Sequence, residues 1–158
     1  MSLAHTVLLA SAYRAIWPPQ LPALASRMKP ILVVPPHHPP SRGAYSPAVK
    51  VDVGGASWLF VTGQLAIDGA GSVVAPLDAT RQTEFIFELI GAILAEAGMD
   101  FAHVVRAQTY LTNMADFEKF SAVRNRHFAD SRPASTLLEV KGLAKPGCCV
   151  EIEVTAVK

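Results

Sequence analysis

From Asp78 to Gly98 the chain carries one sustained helical period, and that period limits the folds open to it. Ile86, Leu89, Ile90, Ile93, Leu94 and Ala97 fall on a single stripe, while Arg81, Glu84, Glu88 and Glu96 lie largely outside it. Apolar residues repeating every three to four positions define an amphipathic helix whose stripe must be covered by another layer. Asp78 supplies an N-cap, because its carboxylate can accept a hydrogen bond from a backbone N–H of the first turn.

The covering layer is read from a period of two. Val49 to Val53 and Ser57 to Thr62 are short β-rich runs joined by Gly54 and Gly55, the pattern of a hairpin. His103 to Thr112 alternates as a strand, and Asn113 is placed to cap a second helix through Phe128 with Met114, Phe117, Phe120 and Val123 inward. Ala134 to Val140 and Cys149 to Val157 read as two more strands. The order ββαβαββ predicts an α+β domain with two helices on one face of a mixed sheet, since strands that follow helices return by crossovers.

Alternation then assigns residues to faces. Val105, Ala107, Thr109 and Leu111 are expected on the helix side, with Val150, Ile152 and Val154. The other face receives Val104, Arg106, Gln108 and Tyr110, with Glu151, Glu153 and Thr155. Trp58, Phe60, Tyr110 and Leu137 are expected to share that second face with the charges, a mixture suited to a subunit interface.

With 158 residues, 51% hydrophobic and 17% charged, the chain can bury one sizeable core and lacks the composition of a disordered polypeptide. Its charge is uneven. No Asp or Glu precedes Asp52, whereas Arg14, Arg27, Lys29, Arg42 and Lys50 do. The remaining nine basic residues face all thirteen acidic ones, a net −4 that disfavours nucleic acid as a partner. Cys148 and Cys149 are adjacent, so a bridge between them would be strained, and they read as reduced thiols of a cytoplasmic protein. The pairs His37-His38 and Cys148-Cys149 lack the spacing of a zinc site, and no metal is expected.

Residues 1–40 read as an N-terminal extension, disordered or left by an upstream start before Met28, with the domain running from Ser41 to Lys158. The apolar run Val7 to Ala12 is interrupted by Arg14 and is too short to span a membrane. Pro35, Pro36, Pro39 and Pro40 make a stiff extended lead-in that cannot continue a helix.

Five segments, in order, resemble one family. Gly43-Ala44-Tyr45-Ser46-Pro47-Ala48-Val49 resembles an opening G-x-Y-S-x-A-V, and Phe60-Val61-Thr62-Gly63-Gln64 a strand end F-V-S-G-Q. Tyr110 to Phe117 resembles F-L-x-D-M-x-D-F. Arg132 to Val140 and Val150 to Ala156 resemble the closing R-P-A-R-x-x-x-E-V and V-E-I-E-x-x-A strands. On these segments, which lie between Pro40 and Lys158, the chain is identified as a member of the Rid (YjgF-type, reactive-intermediate deaminase) family. The resemblance implies a chorismate-mutase-like fold and a homotrimer with a central barrel, helices outside and small-molecule clefts between subunits. It also implies hydrolysis of imines or enamines without metal or cofactor.

By resemblance Glu151 is the carboxylate that orients water, Tyr45 lines the cleft with its hydroxyl, and Thr62 with Gly63 sits at the strand end facing it. One position departs. Deaminase members carry arginine directly after Pro-Ala, where a guanidinium grips the substrate carboxylate through two parallel hydrogen bonds. Here that residue is Ser135, and the cysteine often found two residues later is Leu137. Arg106 and Arg132 are the candidates to replace the lost charge. Three readings follow: an imine or enamine hydrolase acting on substrates other than ordinary 2-imino acids, a trimer that binds a small metabolite without turnover, and, disfavoured by charge, an endoribonuclease.

Overall fold

The computed structural model describes residues 29–41 and 43–158, so residues 1–28 of the expected extension lie outside the described residues. The described elements run β1 (Ile31–Val33), β2 (Ala48–Val53), β3 (Ala56–Leu65), α1 (Ala79–Glu96), β4 (Val104–Leu111), α2 (Phe117–His127), β5 (Ala134–Glu139) and β6 (Val150–Val157). The strands form one sheet in the order β1-β2-β3-β6-β4-β5. Only the β4–β5 pair is parallel, so the sheet is mixed, with both helices on one face as expected.

β1 adds a strand to the expected order. Ile31, Leu32 and Val33 pair with Lys50, Val49 and Ala48, upstream of the boundary placed near Ser41. Three residues are too few to show a period of two, and the prolines that follow hide the strand further. The next hairpin is as expected: Gly54 and Gly55 have φ of +59° and +89°, which suits the two-residue turn between Val53 and Ala56.

The core forms where α1 covers the centre of the sheet. Ile86, Phe87, Ile90, Ile93 and Leu94 meet Leu59, Val61, Ile152 and Val154 in one buried cluster, and Asp78 caps the helix by accepting from the Arg81 N–H at 3.0 Å. α2 adds Phe120 and Val123. Asn113 caps a 3-10 turn over Met114–Asp116 rather than α2 itself, and Met114 and Phe117 are 41% and 37% exposed instead of inward. The extra turn starts the α-helix three residues late and rotates those two side chains away from the sheet.

Two face assignments change for equally local reasons. Val104 is buried and Val105 exposed, because β4 sets two steps, Val104 to Arg106, against the single step from Ala156 to Thr155. Val105 is the extra residue of that bulge, so it leaves the helix side. Leu137 pairs with buried Thr109 and packs against the core, and its neighbour Leu138, opposite Tyr110, occupies the second face.

Candidate functional site

A second bulge builds the site. β3 takes three steps, Val61 to Gln64, while β6 takes two, Val154 to Ile152. The extra residue reverses the alternation, so Gln64 turns into the interior at 5% exposure and Thr62 and Gly63 remain at the strand's outer surface. Bulges re-aim side chains in this way beside functional sites.

The loop before β2 is tied to that bulge. Thr62 donates through its hydroxyl to the Ser46 carbonyl at 2.8 Å and through its N–H to the Pro47 carbonyl at 2.9 Å. Tyr45 is thereby held beside the bulge and is itself 56% exposed. Glu151 lies on its other side, in register with Leu65 and Tyr110. A Cβ placed on Gly63 would stand 3.0 Å from Cδ of Glu151, so glycine leaves the room the carboxylate occupies. Burial, and next the like charge of Glu153, raises the Glu151 carboxyl above the usual carboxylate range.

Tyr45 and Gly63 share a cavity of about 90 Å³ with His38, Pro39, Pro40 and Gln64. That space accommodates a few waters, at roughly 30 Å³ each, and is smaller than the roughly 300 Å³ and upward of an ordinary metabolite pocket. The chain therefore carries a small cavity beside the bulge.

The remaining candidate residues lie elsewhere in the chain. Arg106 is on the open face, where it donates to Gln108, which in turn donates to Glu153 and to the Tyr110 hydroxyl. It pairs with Thr155, four residues along β6 from Glu151, or roughly 13 Å at the strand rise. Arg132 and Ser135 line a separate open cavity with Arg124 and Phe128, at the start of edge strand β5. Arg132 has φ of +43°, an uncommon conformation for a residue with a Cβ. Glu139, the carboxylate of the closing motif, accepts from the Met114 N–H at 2.6 Å and so pins the turn after β4.

His38 and Gln64 were not singled out as site residues by sequence. His38 entered only as a possible metal ligand, and strict alternation along β3 would have turned Gln64 outward; the isolated Gly63 within the strand run is the one local signal of a bulge between Val61 and Gln64. Among the described residues no helix is long and apolar enough to cross a membrane.

Comparisons with known proteins agree with the fold. The model of the family described as Endoribonuclease L-PSP matches residues 36–158. The chain is 38% identical to Protein DfrA of Myxococcus xanthus over 119 residues, covering 75% of this chain and 88% of the relative. It is 36% identical to the 2-iminobutanoate/2-iminopropanoate deaminase of Capra hircus over 120 residues, 76% of this chain and 84% of the relative. Among solved structures, E. coli TdcF with bound serine superposes with a TM-score of 0.69 at 25% identity, covering 81% of this chain and 98% of that one.

Proposed function

The chain belongs to the endoribonuclease L-PSP family, the Rid or YjgF-type proteins, and from that premise we propose that it hydrolyses imine or enamine metabolites in a cleft completed by a second subunit of a homotrimer. The observation that carries the reading is the Glu151 carboxylate held against Gly63, beside a cavity lined by Tyr45. An iminium carbon is already electrophilic, so the protein has to hold the substrate, aim a water and move protons. Water adds to the C=N carbon as Glu151 accepts its proton. Glu151 then passes that proton to the carbinolamine nitrogen, and as the C–N bond breaks the hydroxyl gives its own proton back to the carboxylate, releasing ammonia and leaving a carbonyl. A carboxyl raised by burial is a stronger base for the first step than an exposed one.

The substrate differs from the ordinary 2-imino acids in how its acid group is held. Ser135 provides neither charge nor fork, and charge-assisted hydrogen bonds of an arginine clamp are worth about 1.5–3 kcal/mol each. Arg132, in the same cavity as Ser135, is better sited than Arg106 to make up part of that loss if a neighbouring subunit closes over β5. The open face supports assembly: Trp58 and Phe60 stack with centroids 6.4 Å apart and remain 40% and 48% exposed. Thiols kept reduced fit the cytoplasm.

The test is to generate imines from a panel of amino acids with an amino-acid oxidase and trap them with semicarbazide. Added protein should lower the trapped fraction for at least one imine, and 2-iminobutanoate should be among the poor substrates. If no imine is consumed, the Ser135 departure favours the second reading, a trimer that binds a small metabolite without turnover.

A further inference from the structure

We propose that His38 stands in the cleft wall as an imidazolium and supplies the positive charge that receives an anionic ligand there, the charge missing at Ser135. The inference rests on the cleft reading above and on a count of protons. His38 Nδ1 lies 2.7 Å from the Pro39 carbonyl, and its Nε2 lies 2.8 Å from Gln64 Oε1. The Gln64 amide nitrogen donates to the Thr62 carbonyl at 2.8 Å.

The chain of contacts thus begins and ends on carbonyl oxygens, which can only accept. A neutral imidazole has one N–H and one lone pair, and an amide has one donor and one acceptor end. If neutral His38 donates to Pro39, a lone pair on Nε2 faces a lone pair on Gln64 Oε1. Turning the amide over moves the conflict to the Thr62 carbonyl, and moving the ring proton to Nε2 moves it to the Pro39 carbonyl. Only a second ring proton satisfies all three contacts at once. The contacts are partly buried, where water does not readily relieve two facing lone pairs, so the contact geometry at the bulge calls for a proton on both ring nitrogens.

The groups around the ring fit that charge. Glu88 and Glu96 of α1, with His37, line the groove on its helix side, and Tyr45 lines the cleft side. Glu151 lies beyond Gly63. Among the described residues lining either cavity there is no lysine or arginine, and Arg42 of the same segment lies outside the described residues. Both ring nitrogens are committed to the protein, so His38 acts on a ligand through its field and its polarised C–H edge, without the geometric fork of an arginine. A point charge of this kind accepts anions of varied shape.

Two measurements test this on the full-length protein. In the ligand-free protein at about pH 6, ¹⁵N-resolved NMR should find both His38 ring nitrogens protonated and hydrogen-bonded. In calorimetric titrations, the anion 2-oxobutanoate should bind on the order of tenfold more weakly at alkaline than at mildly acidic pH, with the uncharged 2-oxobutanamide unaffected. His38→Gln should remove that pH dependence and weaken the anion alone. A singly protonated ring, an equal loss for both compounds in His38→Gln, or a pH-independent anion affinity overturns the role of His38 alone. Binding of neither compound, with both ring protons present, overturns the cleft assignment and the anion role with it.

Discussion

Glu151 packs its carboxyl group against Gly63 so closely that a methyl group on Gly63 would overlap it. The clash is with the end of a flexible side chain, and Gly63 is not among the positive-φ glycines, so alanine is compatible with the backbone there. Gly63→Ala is therefore expected to keep the melting temperature within a few degrees and to lower imine hydrolysis at least about tenfold, by moving the carboxylate rather than by unfolding. Loss of folding together with activity would mean that the bulge itself needs glycine.

Glu151→Gln keeps the shape of the side chain and removes its basicity. General-base assistance is typically worth about 10²–10⁴-fold, and a loss of that size is expected in kcat with assembly intact. Glu153→Gln, two residues along the same strand, is the control and should retain most activity.

The pH dependence of that activity follows from the same pair. Burial, then the charge of Glu153, raises the Glu151 carboxyl, so the acid limb of the rate profile should lie above the ordinary carboxylate range. Removing the like charge in Glu153→Gln should shift the limb to lower pH. The sign for stability is opposite to that of a salt-bridged acid. The folded state favours protonated Glu151, so it loses stability as pH rises through the unfolded and then the folded value, and Glu151→Gln should melt higher than the parent at neutral pH. Melting curves of both proteins at acidic and neutral pH measure this directly.

Trp58 and Phe60 make the assembly testable by a single change. Light scattering at micromolar concentration should give three times the 16.9 kDa chain mass. Phe60→Glu, which puts a charge into the exposed stack, should give a monomer without activity but with the fold retained by circular dichroism. A monomeric parent would remove the shared cleft.

Gln82 secures the loops over the start of α1. Its amide donates to the Ala75 and Gly147 carbonyls at 3.1 and 2.9 Å, and its oxygen accepts from the Cys149 N–H at 2.8 Å and the thiol at 3.3 Å. Gln82→Ala strands several buried groups, each costing about 1–3 kcal/mol, and should lower the melting temperature by ten degrees or so. Burial also pushes the Cys149 thiol up to about 11, so alkylation at neutral pH should be slow in the native protein and fast in urea.

Deleting residues 1–28 is expected to leave the melting temperature nearly unchanged, because the sequence there holds no sustained periodic element. Extending the deletion to residue 40 removes β1 and the His38–Gln64 contact, and should destabilise measurably. Equal effects of the two deletions would restore the boundary near Ser41.

Much of this molecule was legible from periodicity. The stripe from Ile86 to Ala97, the Asp78 cap, the Gly54-Gly55 turn and the alternation of β6 each depend on neighbours a few residues away, and local chemistry decides them. The family segments likewise singled out Tyr45, Thr62, Gly63 and Glu151 as candidates, and the fold brings Tyr45, Gly63 and Glu151 to one end of β3. What sequence could not supply are the two bulges, the face of Leu137 and the place of His38. Each depends on which strand pairs with which and with how many residues on either side. One extra residue in β3 turned Gln64 inward, and only then did a histidine 26 positions away gain a partner for its second ring nitrogen. Register is a property of two strands together, so it belongs to the tertiary structure; the period of each strand belongs to the sequence.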